Sequence, residues 1–319
     1  EAISTTLKLL LNTGEILGFH LAFDQAMHYY NRGIELAKQH DEKGRLIKLY
    51  FNKASTQQSN LELENGLETI QLALELSNEV GDERMFIRSL NLKGLLLIEL
   101  DRHDEAEETF YGIVHHNFRS ISPDKYIAIA WHNIGYNLAS QEKWSLAQEA
   151  YLKALPFRSR ETDAEGLFST YLDLTEVNYF QKNYSRADHF GDLAEELFPE
   201  ADLEPSNYRL FDLRSKIALK QHNSTRAFEY VQRYYQENMR FLEIQAEILK
   251  TRSQYKMEIL TAGFFNSTTN MEEQSLLEYV IWLSGLMMCG MILLYRVKNW
   301  YVKKSIIKEL AKIDSESIV

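Results

Sequence analysis

Between Trp131 and Leu155 the apolar positions fall into two blocks of helical period joined by a polar turn. Trp131, Ile134, Gly135 and Leu138 stand at i, i+3, i+4 and i+7, one face of a helix. Ala147, Ala150, Tyr151 and Ala154 repeat that spacing, with 141–143 as the turn. A large ring and a small residue on the first helix are expected to meet small alanines on the second, so that the two approach closely. The unit is not isolated. Small residues recur at Ala26, Gly66, Ala106, Ala147, Ala187 and Ala227, separated by 40, 40, 41, 40 and 40 residues.

Flanking positions keep the same step. Gly14, Ala54, Gly94, Gly135, Thr175 and Ser215 are all small, and Tyr30, Ile70, Phe110, Tyr151, Gly191 and Val231 are mostly large. Gly191 breaks the second series, and neighbouring Phe190 is placed to offset it. The period predicts six helix pairs near 7–40, 47–80, 87–120, 128–161, 168–201 and 208–241. The four prolines, at 123, 156, 199 and 205, fall in the links or at the ends of second helices, where a helix can stop.

This pattern resembles the tetratricopeptide repeat (TPR) family, whose signature runs W-x2-L-G-x2-Y, then A-x3-F, A and P. Trp131, Ile134, Gly135, Leu138, Ala147, Tyr151 and Ala154 take its places, with Leu138 for the usual Tyr and no closing Pro. Pro199 supplies that Pro in the fifth repeat. The spacing is longer than the ~34 residues usual in the family. The resemblance implies an all-α, right-handed superhelix of six helix pairs over 1–241, with a concave groove and each repeat packed only on its neighbours.

The family resemblance also implies which first-helix positions face that groove. They carry Asn12, Asn52, Asn91, Asn133 and Asp173, with Phe51, His132, Tyr136, Tyr179 and Phe180 nearby. An asparagine ladder resembles repeat grooves that hold an extended peptide by its backbone. A carboxamide offers both donor and acceptor, matching a peptide group without reading its side chain. The bland alternative is a solvated polar face. The carboxylate-clamp variant of the fold, which needs a Lys and Asn pair in the first repeat, is not matched, because Leu11 and Glu15 stand there.

Residues 242–274 read as a capping helix or a dimerising stalk, followed by a polar linker. Residues 276–295, LLEYVIWLSGLMMCGMILLY, are charge-free from Tyr279 and span ~30 Å as a helix, the width of a bilayer core. Tyr279 and Trp282 at one end and Tyr295, Trp300 and Tyr301 at the other resemble interfacial aromatic belts. Acidic residues precede the stretch and Arg296, Lys298, Lys303 and Lys304 follow it. The expected organisation is a transmembrane helix at 275–296 and a cytoplasmic juxtamembrane segment at 297–319, with the repeats periplasmic or extracellular at a bacterial inner membrane. The segment 305–314, SIIKELAKID, resembles the helix leading into GGDEF-type cyclase domains at Leu310, Ala311 and Asp314; a juxtamembrane amphipathic helix is the alternative. The chain starts inside a helical pattern, at Glu1 rather than Met, so a preceding signal segment is expected.

Composition narrows the chemistry. The net charge is −11, and the segment 296–319 carries +3 of its own, so the rest is strongly acidic and has no electrostatic reason to bind nucleic acid. The single cysteine, Cys289, excludes an intrachain disulfide. No nucleotide loop, zinc motif or nucleophile elbow appears, and His115-His116 has no spaced acid partner, so neither catalysis nor a cofactor is expected of this chain. Three functions remain: a membrane sensor that binds peptide or protein and relays it to a cytoplasmic output, a membrane-anchored assembly scaffold, and an enzyme whose catalytic half lies beyond Val319.

Overall fold

The computed structural model describes residues 2–19, 21–158, 160–198 and 205–265. The apolar stretch 276–295, the segment 297–319 and most of the link after the fifth repeat lie outside the described residues. The chain divides into two units, Glu1–Glu243 and Ile244–Val319. The described part of the second is the end of one helix.

All regular structure among the described residues is helical. The helices are α1 (Ala2–Phe19), α2 (Phe23–Gln39), α3 (Lys43–Ser59), α4 (Leu63–Val80), α5 (Glu83–Glu99), α6 (His103–Val114), α7 (Asp124–Ser140), α8 (Trp144–Ala154), α9 (Arg160–Phe180), α10 (Tyr184–Leu197), α11 (Pro205–Lys220) and α12 (Ser224–Phe265). Second helices begin at 23, 63, 103, 144, 184 and 224, steps of 40, 40, 41, 40 and 40. The start of the segment read as a capping or stalk helix, 242–274, is continuous with the sixth pair: α12 runs to Phe265, with no Pro or Gly before Gly263. Residues 161–166, between the fourth and fifth pairs, are mostly helical, broken at Asp163, whose carboxylate accepts from Arg158 Nη1 at 2.6 Å.

The turn inside each pair is the same device six times. Leu21, Leu61, Asp101, Glu142, Lys182 and His222 all sit in the left-handed region, at φ between 57° and 62°. The next residue's N–H reaches five residues back, as in Ala22 to Leu17 O and Lys143 to Leu138 O, at 2.8 and 2.9 Å. This closes the last turn of the first helix and aims the chain into the second.

Packing follows from the small and large series. The ring that faces Gly135 belongs to Tyr151, not to Trp131: a Cβ on Gly135 would lie 2.6 Å from Tyr151 Cδ1. Only a glycine lets α7 and α8 close to this distance. Trp131 instead meets the edge of Tyr111 in the preceding pair, with centroids 5.7 Å apart, and Lys153 Nζ lies 4.5 Å from a ring centroid of the same indole. Each first helix packs on the next first helix, α1 on α3 and so on to α9 on α11, and no comparable contact joins α2, α4, α6, α8 and α10. First helices therefore line the inner side of the array and second helices fan outward.

The longest link between pairs, 115–123, is held from the start of α5. The Glu83 carboxylate accepts from the backbone N–H of Arg119 and Ser120 at 2.9 and 2.6 Å, from Ser120 Oγ at 2.5 Å, and lies 3.1 Å from His116 Nε2. His116 thus has an acid partner 33 positions earlier, and its ring also meets Phe118 edge-on. The Ser120 and Arg119 hydrogen bonds hold the Glu83 carboxyl down at about 2, from an ordinary 4.5. A depressed carboxyl stabilises the fold above its unfolded value, and that stabilisation is lost as pH falls from about 4.5 through about 2. Glu83→Gln is expected to flatten the stability-versus-pH curve across that window, measured by denaturant melts at each pH. An unchanged slope there would mean that the loop is held by other contacts.

Candidate functional site

The inner face is built by the first helices, and its side chains are tied laterally from one pair to the next. Arg88 of α5 stacks its guanidinium over Phe51 of α3, 4.5 Å from the ring centroid. Gln58 Nε2 donates to Glu99 Oε1 at 2.5 Å. Asn133 Nδ2 of α7 donates to Asn91 Oδ1 of α5 at 2.7 Å. His132 of α7 faces Asp173 of α9 at 3.4 Å, and Arg209 of α11 reaches the other carboxylate oxygen of Asp173 at 3.3 Å and Glu176 at 3.4 Å.

The asparagine series is therefore not uniform. Asn12 is exposed and Asn52 half-buried, whereas Asn133 is buried and paired with Asn91. The pairing commits one amide N–H and one carbonyl. It leaves Asn133 with a carbonyl oxygen and Asn91 with an amide NH2, so the pair still presents one acceptor and one donor, as a peptide group does. Leu92 and Leu213 occupy the corresponding places in the third and sixth pairs and are buried.

His132 is flanked on its two ring nitrogens by Thr170 and Asp173. The Thr170 hydroxyl donates to Gly166 O at 2.9 Å, so His132 Nδ1, 3.3 Å from Thr170 Oγ1, is the donor of that contact. His132 Nε2 then turns a lone pair toward Asp173 Oδ2. Burial pushes His132 down to about 3, helped by the positive charge of Arg158. Burial pushes the Asp173 carboxyl up to about 7, against the pull of Arg209. Both shifts favour the neutral form of the group concerned. Above about 7 Asp173 ionises and this part of the inner face gains negative charge. Burial, then the charges of Asp173 and Glu176, raise the adjacent Tyr151 hydroxyl, which stays protonated.

Aromatic surface lies on the same two first helices, α7 and α9. Tyr136, one turn from His132, is 48% exposed. Phe180 is also exposed and stacks on Trp144 with centroids 4.5 Å apart and planes 15° from parallel; Tyr179 meets Phe180 edge-on at 5.6 Å. The structure thus brings His132, Asp173 and Tyr136 into one neighbourhood, and Asn91 with Asn133 into another. Phe51 lies with Arg88, and Asn12 stands apart near the N-terminal end. Sequence reading missed Arg209, Glu176 and Arg88. Arg209 and Arg88 share one repeat position in the sixth and third pairs, a signal that spacing alone contains. Among the described residues no group of three or more His, Cys, Asp or Glu is arranged to hold a metal ion.

Residues 87–111, most of α5 and most of α6, match the family model for a tetratricopeptide repeat. No curated protein matches the chain. Among solved structures the fold is similar to pilF of Pseudomonas aeruginosa, at 18% identity and a TM-score of 0.54, covering 77% of this chain and 100% of that one. It is similar to the apo form of the quorum sensor NprR from B. thuringiensis, at 14% identity and TM-score 0.55, covering 74% and 77%. It is also similar to a Rap protein complexed with competence and sporulation factor, at 16% identity and TM-score 0.51, covering 76% and 66%. At these identities the likeness is one of fold.

Proposed function

We propose that this chain, a helical protein of the tetratricopeptide-repeat type, is a binding module whose inner face takes an extended peptide or a segment of a partner protein. The observation that carries the reading is the Asn91–Asn133 pair, bridging two first helices on the inner face with one donor and one acceptor to spare. A peptide backbone lying across the helices finds its own complement there. Tyr136 and the Trp144–Phe180 stack supply apolar surface for its side chains. Among the solved structures of similar fold, NprR is named a quorum sensor and the Rap protein is complexed with competence and sporulation factor, which supports a binding role as a proposal for this chain.

In this reading the module is extracytoplasmic. Residues 276–295 anchor it in a bacterial inner membrane, and the bound state passes to a cytoplasmic output. The support for that part is the apolar run and the basic residues after it. Among the described residues no helix is long and apolar enough to cross a membrane. Reporter fusions placed before Leu276 and after Val319 test the orientation; a cytoplasmic signal from the first would reverse it. An anchored scaffold without output is the competing reading, and ligand-dependent output from the full-length protein separates the two.

The groove is tested with a peptide selected from a displayed library on the whole chain and measured by calorimetry. Tyr136→Ala is expected to weaken that peptide by about tenfold, the cost of one aromatic contact of ~1–1.5 kcal/mol. Melting should stay unchanged, because Tyr136 is half in solvent. Asn52→Ala should weaken binding by a smaller step. Peptides indifferent to both substitutions would place the binding surface elsewhere.

A further inference from the structure

In the second and third pairs the charge is divided between the two sides of the array. The inner helix α3 carries four basic residues and no acidic one, whereas the outer helices α4 and α6 carry eight acidic residues and no Lys or Arg. The inner helix α5 has three basic and two acidic residues, and both acids are engaged, Glu83 by the 115–123 link and Glu99 by Gln58. The cations of α3 and α5 recur with the repeat. Lys53 and Lys93 donate to the side-chain amide oxygens of Asn31 and Gln71, at 2.9 and 3.3 Å, and these neutral partners leave both charges uncompensated. Lys48 and Arg88 share one repeat position, a turn before Phe51 and Asn91, and both are exposed. Arg88 lies over the Phe51 ring, and among the described residues neither it nor Lys48 has a carboxylate partner. The chain has 46 acidic residues against 35 basic ones, and cations elsewhere do find carboxylates, as Lys43 finds Glu79 and Arg102 finds Glu105.

We propose, on the reading that the inner face takes a peptide, that the part of the peptide seated on α3 and α5 is acidic, with an Asp or Glu side chain held between Lys48 and Arg88. The two cations stand on neighbouring first helices, ~8–10 Å apart, a gap that two long side chains close around one carboxylate. The Phe51 ring already orients the Arg88 guanidinium, so the carboxylate meets a fork held in place. The acidic outer helices repel the same peptide, and the field of the molecule therefore guides it to the inner side. Farther along the inner face the sign changes: Asp173 and Glu176 of α9 share the single cation Arg209. α9 lies three first helices beyond α3, ~24–30 Å away, which is the reach of about eight extended residues. The Asn91–Asn133 pair lies between these ends. The acidic end of the peptide thus belongs over the second and third pairs, and its other end, neutral or basic, over the fifth. Charge sets the direction of the chain, and the asparagines hold its backbone.

Displayed random peptides of about 12 residues, longer than that reach, are selected on the full chain in detergent micelles and sequenced. The same selection is run on the double variant Lys48→Glu/Arg88→Glu. The wild type is expected to enrich Asp and Glu by at least about threefold over the library, and the double variant to enrich Lys and Arg instead. For the strongest wild-type peptide, calorimetry should show about a tenfold loss with Lys48→Glu and with Arg88→Glu, since each turns an attraction into a repulsion. Binding should also weaken several-fold between about 50 and 500 mM salt. Both positions are exposed, so melting should not change. Peptides that depend on Tyr136 but show no acidic enrichment and ignore both reversals overturn the charge assignment and leave the peptide site standing. Acidic peptides that survive both reversals overturn it as well, because their anion is then held elsewhere. A selection that yields no peptide sensitive to Tyr136→Ala or to either reversal overturns both readings together.

Discussion

Arg214→Ala should lower the unfolding free energy by ~3–5 kcal/mol, the range for removing one partner of a buried ion pair. The side chain is buried in α11, yet it carries a full charge. Its Nη1 donates to Glu195 at 2.5 Å, and its Nη2 donates to Asp188 at 3.1 Å and to Asp192. Arg226 of α12 shares Asp188 at 2.6 Å, and Arg233 shares Glu195. Three guanidinium groups thus meet three carboxylates, and the charges balance. The guanidinium also lies over Tyr230, 4.6 Å from the ring centroid. Removing Arg214 takes out the one member bound to all three acids, leaving a cavity and an excess negative charge between the fifth and sixth pairs.

Arg214→Lys should fall between the wild type and Arg214→Ala. An ammonium restores the charge but not a fork that reaches two carboxylates at once. Denaturant melts of the three proteins give the order. A loss below about 1 kcal/mol for Arg214→Ala would mean that the cluster behaves as an ordinary surface network. Because Asp188, Asp192 and Glu195 all lie on α10, the damage should concentrate in the last pair. Hydrogen exchange should rise first in α11 and α12.

Arg214 also marks the limit of what the chain shows before folding. The period of 40 residues is carried by small and aromatic positions whose exchange would create overlap or a void, so each copy reports the same packing and the helix pairs are legible. At Gly191 the series breaks. Phe190 is buried, stacked near Tyr171, and in that sense stands in for the missing ring. The space over Gly191 itself is taken by Arg214 of the next pair, whose Cδ would lie 3.4 Å from a Cβ there. An arginine on a helix reads as surface, because its burial depends on acids 19 to 26 positions away. The inner face is legible in part for the same reason. The asparagines are visible as residues, but the bond between Asn91 and Asn133 joins different places in their repeats, and the period does not relate those places. The opposite shifts of His132 and Asp173 both come first from burial, which the period does not show.

Gly94→Ala should be harmful in the native protein and helpful once Phe110 has been removed. A Cβ on Gly94 would lie 2.6 Å from Phe110 Cε1, inside any real contact, and Phe110 is fully buried between α5 and α6. The ring is held on all sides, so the added methyl drives the two helices apart, at ~1–3 kcal/mol for an overpacked core. The better helix propensity of alanine returns about 1 kcal/mol of this. Phe110→Ala alone should cost ~3–5 kcal/mol through lost burial and the cavity left behind. In that cavity the Gly94 methyl meets no ring. Its propensity gain then stands alone, with some cavity filling added, and the double variant should be more stable than Phe110→Ala by up to about 1 kcal/mol. The sign of the Gly94→Ala effect therefore reverses with the residue at 110. A four-protein cycle of denaturant melts measures this as a coupling energy of about 1–3 kcal/mol. Equal losses from Gly94→Ala in both backgrounds would show that something other than the ring demands glycine at this crossing. The same test then passes to Gly135 and Tyr151, where the spacing of α7 and α8 positions His132 and Tyr136 on the inner face.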